Sequence, residues 1–357
     1  MVQTLVAFFL ILIVLVLVHE AGHFFTAKLM KVKVEEFGLF YPPRIWGFKR
    51  GETTYSINVL PIGGFVKLSG EEDPKVPGSL AGKSAGTRIL VLGAGAVMNL
   101  LLPILLLSIA FMVPHTEVMA PALVGAVEPG SPAEQAGILP GDRIIEFNNH
   151  EIKSPNELDR YVQLDLGTEV SLLIQHADGS EETVHLVPRW KPPANEGSMG
   201  VRYDVQSIID QQVVSTKSYP FWEAIPLGFN DCIQTFVLFK NGIISMIIGA
   251  TPTTLLGPVG VAQLTGEVAK AGISPLLEFA AAFSINLGIL NLFPLPALDG
   301  GRIFFVVLEW IRRGRRISPK TENMVHFIGF MLLMSVILVF TYQDIARIIT
   351  GGSVIPQ

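Results

Sequence analysis

The sequence predicts a polytopic α-helical membrane protein of about four transmembrane helices, with a membrane-associated β-hairpin on its cytoplasmic side and an inserted extracytoplasmic α+β domain. Three observations predict it. Half of the 357 residues are apolar and only 16% are charged, and the mean hydropathy of +0.48 exceeds what a water-soluble globule needs. The apolar residues gather into four stretches, each approaching the roughly 20 residues that a bilayer core demands. Residues 115–215, between the second and third stretches, have an ordinary soluble composition with strand, helix and turn signals of their own. The net charge of −5 leaves no basic footprint for nucleic acid. A single cysteine, Cys232, excludes an internal disulfide and a cysteine-based metal site.

The N-terminal membrane part, residues 1–114, opens on a continuous apolar run from Leu5 to Val18 that flows into "HEAGHFFTAKLM". No basic residue precedes this run and no small-x-small site follows it, so it reads as a span and not as a secretory signal. Thr53 to Leu60 alternates like a strand, Pro61-Ile62-Gly63-Gly64 signals a turn, and Phe65 to Leu68 resumes a strand. A β-hairpin over 53–68 is expected, lying at the membrane face or dipping into it. Ile89 to Val113 is the second span.

Residues 115–215 contain "GSPAEQAGILPGDRI", a helix over "SPNELDRYVQLDLG" with Ser154 as its cap, and a hairpin around Asp178-Gly179. This order resembles a PDZ domain of the bacterial protease type. The resemblance implies binding of an extended peptide or a C-terminus by strand addition, with the carboxylate loop expected at Pro121 to Gly125. The C-terminal membrane part, 216–357, begins with residues 221–250, apolar at helical spacing but interrupted by Glu223, Asp231 and Lys240. An amphipathic helix on the outer membrane face is expected there, because a fifth span would carry "RRGRR" (312–316) outside. Spans over 279–299 and 325–342 complete the chain.

Charge sets the orientation. Ala27 to Arg88 holds ten Lys or Arg, whereas the much longer stretch from Pro114 to Glu278 holds nine, alongside twenty Asp or Glu. By the positive-inside rule, residues 27–88 and 301–320 are cytoplasmic, and both termini and the 115–215 domain lie outside.

His19-Glu20-Ala21-Gly22-His23 has the form H-E-x-x-H. On a helix the two histidines share a face and can meet one ion, with Glu20 beside them as a base. Ionisable groups in a span are costly and mark function, and metal ligation removes that cost. A zinc hydrolase usually takes three protein ligands. His115, His150, His176 and His185 fall in or beside the outer domain and His326 begins the last span, so all five read as ordinary surface or interfacial residues. Asp299, in "NLFPLPALDGGR", lies at the depth expected for His19 and His23. It also reads as a helix-terminal Asp before a Gly-Gly turn.

"VHEAGHF", "LPIGGFVKLSGEED", "GAGAVMNLLL", the PDZ-like domain, "GPVGVAQLTG" and "SINLGILNLFPLPALDGGR" follow one another in the order seen in the site-2 protease family of intramembrane zinc metalloproteases. Together they resemble its RseP-like bacterial branch, with one PDZ domain in place of two. That resemblance implies Zn2+ held by His19, His23 and Asp299, Glu20 as catalytic base, and Asn291 near the substrate. It also implies that the strand around Gly63, Gly64 and Phe65 pairs with the substrate. The implied setting is the bacterial inner membrane, and the implied partners are lipid and transmembrane protein substrates, such as trimmed anti-sigma factors or signal-peptide remnants. The alternative is a PDZ-bearing zinc receptor or transporter without peptidase activity. Neither of those needs Glu20.

Overall fold

The computed structural model describes residues 2–71, 73–250 and 256–350, and the chain divides into two compact units, 1–110 with 255–357, and 111–254. In the first unit α1 (Val2–Leu29) extends the predicted apolar run in both directions. Its 28 residues measure about 42 Å, enough to cross a bilayer. Two long strands follow, β1 (Val34–Arg50) and β2 (Thr53–Leu68), paired antiparallel around a tight turn at Gly51, whose φ is +62°.

The expected hairpin over 53–68 is corrected here. Residues 53–58 and 64–68 are both extended but are not each other's partners. Glu36 to Leu39 of β1 lies between them, facing 67 to 64 on one side and 54 to 57 on the other, while Arg44 to Arg50 pairs back onto Asn58 to Thr53. Alternation within 53–68 could not reveal this, because the inserted segment comes from upstream and is followed by Pro42-Pro43. Gly38 makes room for the Phe65 ring, where a Cβ would lie 2.5 Å from Cζ. The 64–68 segment is thereby left at the sheet edge. Tyr41, Ile45, Trp46, Phe48, Ile57 and Val59 are exposed on the same sheet.

Helix α2 (Ala85–Met112) buries a run of small residues, Gly93 to Ala96. Small residues let apolar helices approach closely, and a Cβ on Gly22 of α1 would lie 2.8 Å from the Ala94 carbonyl carbon.

The second unit pairs β3 (His115–Met119) with β10 (Val213–Lys217) and builds a separate sheet in the order β8-β7-β5-β4-β9. Its strands are β4 (Ala122–Val127), β5 (Arg143–Phe147), β7 (Val170–Gln175), β8 (Glu181–Leu186) and β9 (Val201–Tyr203), with the short β6 (His150–Glu151) paired to β5. Ile144, Phe147, Leu158, Leu172 and Ile174 form its fully buried core. Helix α3 (Pro132–Gln135) is capped by Ser131, and α4 (Pro155–Leu164) by the predicted Ser154, whose Oγ accepts from Glu157 N at 3.2 Å. The β7–β8 turn falls at Gly179 as expected.

The carboxylate loop expected at Pro121 to Gly125 is also corrected. Ala122 and Leu123 pair with β5, and Val124 to Val127 pair with β9, so β4 has no free edge for a peptide. Among the described residues, β9 is the end strand of that sheet. Tyr203 on β9 donates from its hydroxyl to Asp159 on α4 at 2.7 Å. Helix α5 (Val205–Gln211) follows, and α6 (Phe221–Ile247) holds α4 through Arg160–Asp231 and through Asn241 Nδ2, which donates to Gln163 O at 2.7 Å.

The first unit resumes with α7 (Pro258–Ala271), α8 (Ile273–Leu292), α9 (Asp299–Ile311) and α10 (Pro319–Ile349). Asp344 of α10 is buried. It pairs with Arg347 and accepts from Gly260 N at 2.6 Å, satisfying the α7 N-terminus. The span expected over 279–299 ends at Leu292, and Asp299 opens a separate helix. Pro294 and Pro296 explain the break, since proline supplies no N–H and disfavours a helical residue before it. Among the described residues, α1, α2, α8 and α10 are long and apolar enough to cross a membrane, and α6 is not in that group.

Candidate active site

His19 and His23 sit one turn apart on α1 and are buried. Asp299 reaches them from the first residue of α9: its Oδ2 lies 3.0 Å from His19 Nε2 and 3.2 Å from His23 Nε2, and the two Nε2 atoms are 3.2 Å apart. Three donors with zinc bonds of 2.0–2.2 Å in a tetrahedron would be separated by about 3.3 Å. The observed triangle is nearly that size, so the residues fit a zinc ion.

The surroundings favour ligation over a simple hydrogen-bonded cluster. His23 Nδ1 donates to the Val91 carbonyl at 2.8 Å, which leaves its Nε2 lone pair directed at the triangle. The Asn99 amide lies 3.3 Å from His19 Nδ1. Its Oδ1 is buried and otherwise without a partner. With that oxygen turned to the ring it accepts Nδ1–H, and His19 also presents a bare Nε2. Gly95 of α2 closes the cradle: a Cβ there would overlap His23 Nε2 and come within 2.7 Å of His19 Nε2.

The loop that delivers Asp299 is packed without slack. A Cβ on Gly300 would lie 2.5 Å from Leu292 O, and one on Gly301 would lie 3.0 Å from the Leu295 carbonyl carbon. His326 of α10 accepts from Ala297 N at 2.9 Å, pinning the loop two residues before the carboxylate.

A cavity of about 610 Å³ opens over the triangle, lined by Glu20, by Gly63 to Leu68, and by Asn291, Asp299 and Arg302. Every residue singled out in the sequence, His19, Glu20, His23, Gly63, Gly64, Phe65, Asn291 and Asp299, therefore meets at one place. Gly64 rests directly on α1, where a Cβ would lie 3.1 Å from Glu20 Cγ and 3.0 Å from Val16 Cγ1. Only glycine lets the edge strand approach the glutamate this closely. Asn99, Gly95, Glu71 and Arg302 were not picked out from the sequence, and His326 was set aside. For Asn99 a signal existed, an amide inside an apolar span. The role of His326, read as an ordinary interfacial residue, depends on a loop that is not adjacent in sequence.

The model of peptidase family M50 matches residues 7–336. A Clostridium perfringens protein named "putative zinc metalloprotease" is 36% identical over 341 residues, covering 93% of this chain and 95% of its own. A Clostridium acetobutylicum protein of the same description is 34% identical, covering 93% and 94%. The zinc metalloprotease RasP of Oceanobacillus iheyensis is 30% identical, covering 97% and 99%. A His/His/Asp cluster able to hold a metal, set among membrane-length helices, is what a membrane-embedded metalloprotease requires. From the helix that carries both histidines to the last apolar helix, the chain belongs to peptidase family M50.

Proposed function

We propose that this protein is an intramembrane zinc endopeptidase that cuts the transmembrane segments of single-span proteins. The observation that carries the proposal is the sharing of one cavity by the His19–His23–Asp299 triangle, the Glu20 carboxylate and the edge strand Gly63–Leu68. Zinc, when bound, polarises the scissile carbonyl and eases deprotonation of water. Glu20 takes the proton of the attacking water and returns it to the leaving amine. A substrate helix hides its carbonyls in its own hydrogen bonds and has to unwind before attack. The backbone of Gly63–Leu68, without a strand partner on its cavity side among the described residues, offers replacement bonds to the unwound segment. The Asn291 amide, on the cavity wall, holds that segment or the developing oxyanion.

In this reading the protein is a multi-pass protein of the bacterial inner membrane, with both termini and residues 115–215 outside. The exposed apolar side chains of the β1–β2 sheet then face lipid. The 115–215 domain is PDZ-like, and its peptide groove, relocated from Pro121–Gly125, lies between β9 and α4. Substrates are spans left after an outer cut, such as trimmed anti-sigma factors or signal-peptide remnants.

The test is Glu20→Gln in the purified full chain. Zinc content should stay near that of the wild type while cleavage of a single-span substrate falls at least about 100-fold. Wild-type turnover by Glu20→Gln would remove the base assignment. Zinc binding with no turnover by the wild type would favour a receptor or transporter.

A further inference from the structure

Glu71 joins two parts of the site that the chain supplies separately. Its Oε1 accepts from Leu68 N, the last residue of the edge strand, at 3.1 Å. Its Oε2 accepts from Arg302 Nη1 at 2.9 Å. Arg302 is three residues after Asp299 on α9, so it lies on the same helical face as the metal-triangle carboxylate. One carboxylate therefore ties the end of the strand to the helix that brings Asp299. Both side chains line the 610 Å³ cavity, and both also line a neighbouring cavity of about 230 Å³ that Arg88, Val306 and His326 help enclose. The ion pair stands between the two spaces.

We infer that Glu71 and Arg302 are positioning residues that form a latch, setting the distance between the edge strand and the Asp299 helix and so the width of the slot that receives an unwound substrate segment. This rests on the peptidase reading above. The Arg302 and Glu71 side chains are 50% and 28% exposed. A pair so wetted contributes little to global stability, so its effect should appear in strand placement and substrate capture, with the melting temperature and the metal left alone. The strand needs such a tie. Its inner side is held by the pairing of 64–67 to 39–36, and among the described residues Glu71 is the side chain that bonds both the strand's end and α9.

The experiment is a double-mutant cycle in the full chain, reconstituted with lipid, using Glu71→Ala, Arg302→Met, the pair combined, and Arg302→Lys. Two readouts are taken: amide exchange of residues 64–68 without substrate, and kcat and KM for a single-span substrate. Each single variant should speed exchange of 64–68 several-fold and raise KM three- to tenfold, with kcat within twofold and zinc content unchanged. The double variant should be no worse than Glu71→Ala alone, because both changes break one link. Arg302→Lys, which keeps the charge, should recover most of the loss. Multiplying effects in the double variant would overturn the latch, as would unchanged exchange of 64–68 in both singles. A wild-type chain with no turnover would refute the peptidase reading, while the exchange measurement would still decide whether the latch exists.

Discussion

A single methyl group separates Gly95 from a ruined metal site. The Cβ of alanine at this position would crowd His19 Nε2 and His23 Nε2, two of the atoms that would hold the proposed zinc. Gly95→Ala should therefore abolish zinc binding although no ligand is changed. Gly93→Ala is the matched control on the same helix, since its Cβ would meet nothing nearer than Ile303 Cδ1 at 3.7 Å. Metal analysis of the two purified proteins checks this: Gly93→Ala should retain about one zinc per chain, and Gly95→Ala should hold almost none. Equal zinc in both would show that the histidines can retreat from the methyl group. Legibility divides along the same line. His19, Glu20 and His23 were readable because helical period alone places them together. Asp299 was legible as a candidate through its depth at the end of a span and through its family motif. Gly95 and Asn99 act across a helix–helix contact, and sequence spacing does not encode which faces of α1 and α2 meet.

Among elements, the turn between α8 and α9 carries the greatest constraint. Pro294 and Pro296 end one helix, Gly300 lets the next begin against the Leu292 and Phe293 carbonyls, and Gly301 lets it pass the Leu295 carbonyl. The sequence-based expectation ran the span through to Asp299 because hydropathy stays high to Leu298. Hydropathy measures solvent preference, whereas the prolines determine backbone geometry. The β1–β2 sheet was half legible for a related reason. The extended character of 53–60 and 65–68 follows from local pattern, but the insertion of Glu36–Leu39 between them is a long-range pairing. Gly300→Ala tests the turn. Relieving the clash with the Leu292 carbonyl should displace the loop, at an overpacking cost of about 1–3 kcal/mol. Zinc affinity should fall at least tenfold with helix content unchanged, by metal titration and circular dichroism. Wild-type affinity would mean that Asp299 is positioned by something other than this close approach.

At the scale of the whole molecule, the proposed orientation rests on four membrane-length helices and on the charge distribution. Four crossings would return the chain to its starting side, so in that proposal both ends share a compartment. The ten basic residues between Ala27 and Arg88 and the Arg312–Arg316 cluster are the grounds on which that proposal puts the intervening segments in the cytoplasm. Residues 221–250 decide it, because one more crossing there would invert everything after it. Helix α6 is not in the membrane-length group, and its Asp231 and Asn241 are engaged with α4 of the same unit. Lys49, Asp178 and Arg315 are exposed, and the native Cys232 is buried and can be replaced by alanine to clear the background. Cysteine placed at 178 should then react with an impermeant maleimide in intact cells. Cysteine at 49 or 315 should react only after the membrane is opened. Labelling of 315 in intact cells would restore α6 as a fifth span and move the C-terminus to the cytoplasm. Labelling of 49 in intact cells would invert the first half of the chain, and with it the side from which a substrate span meets Glu20.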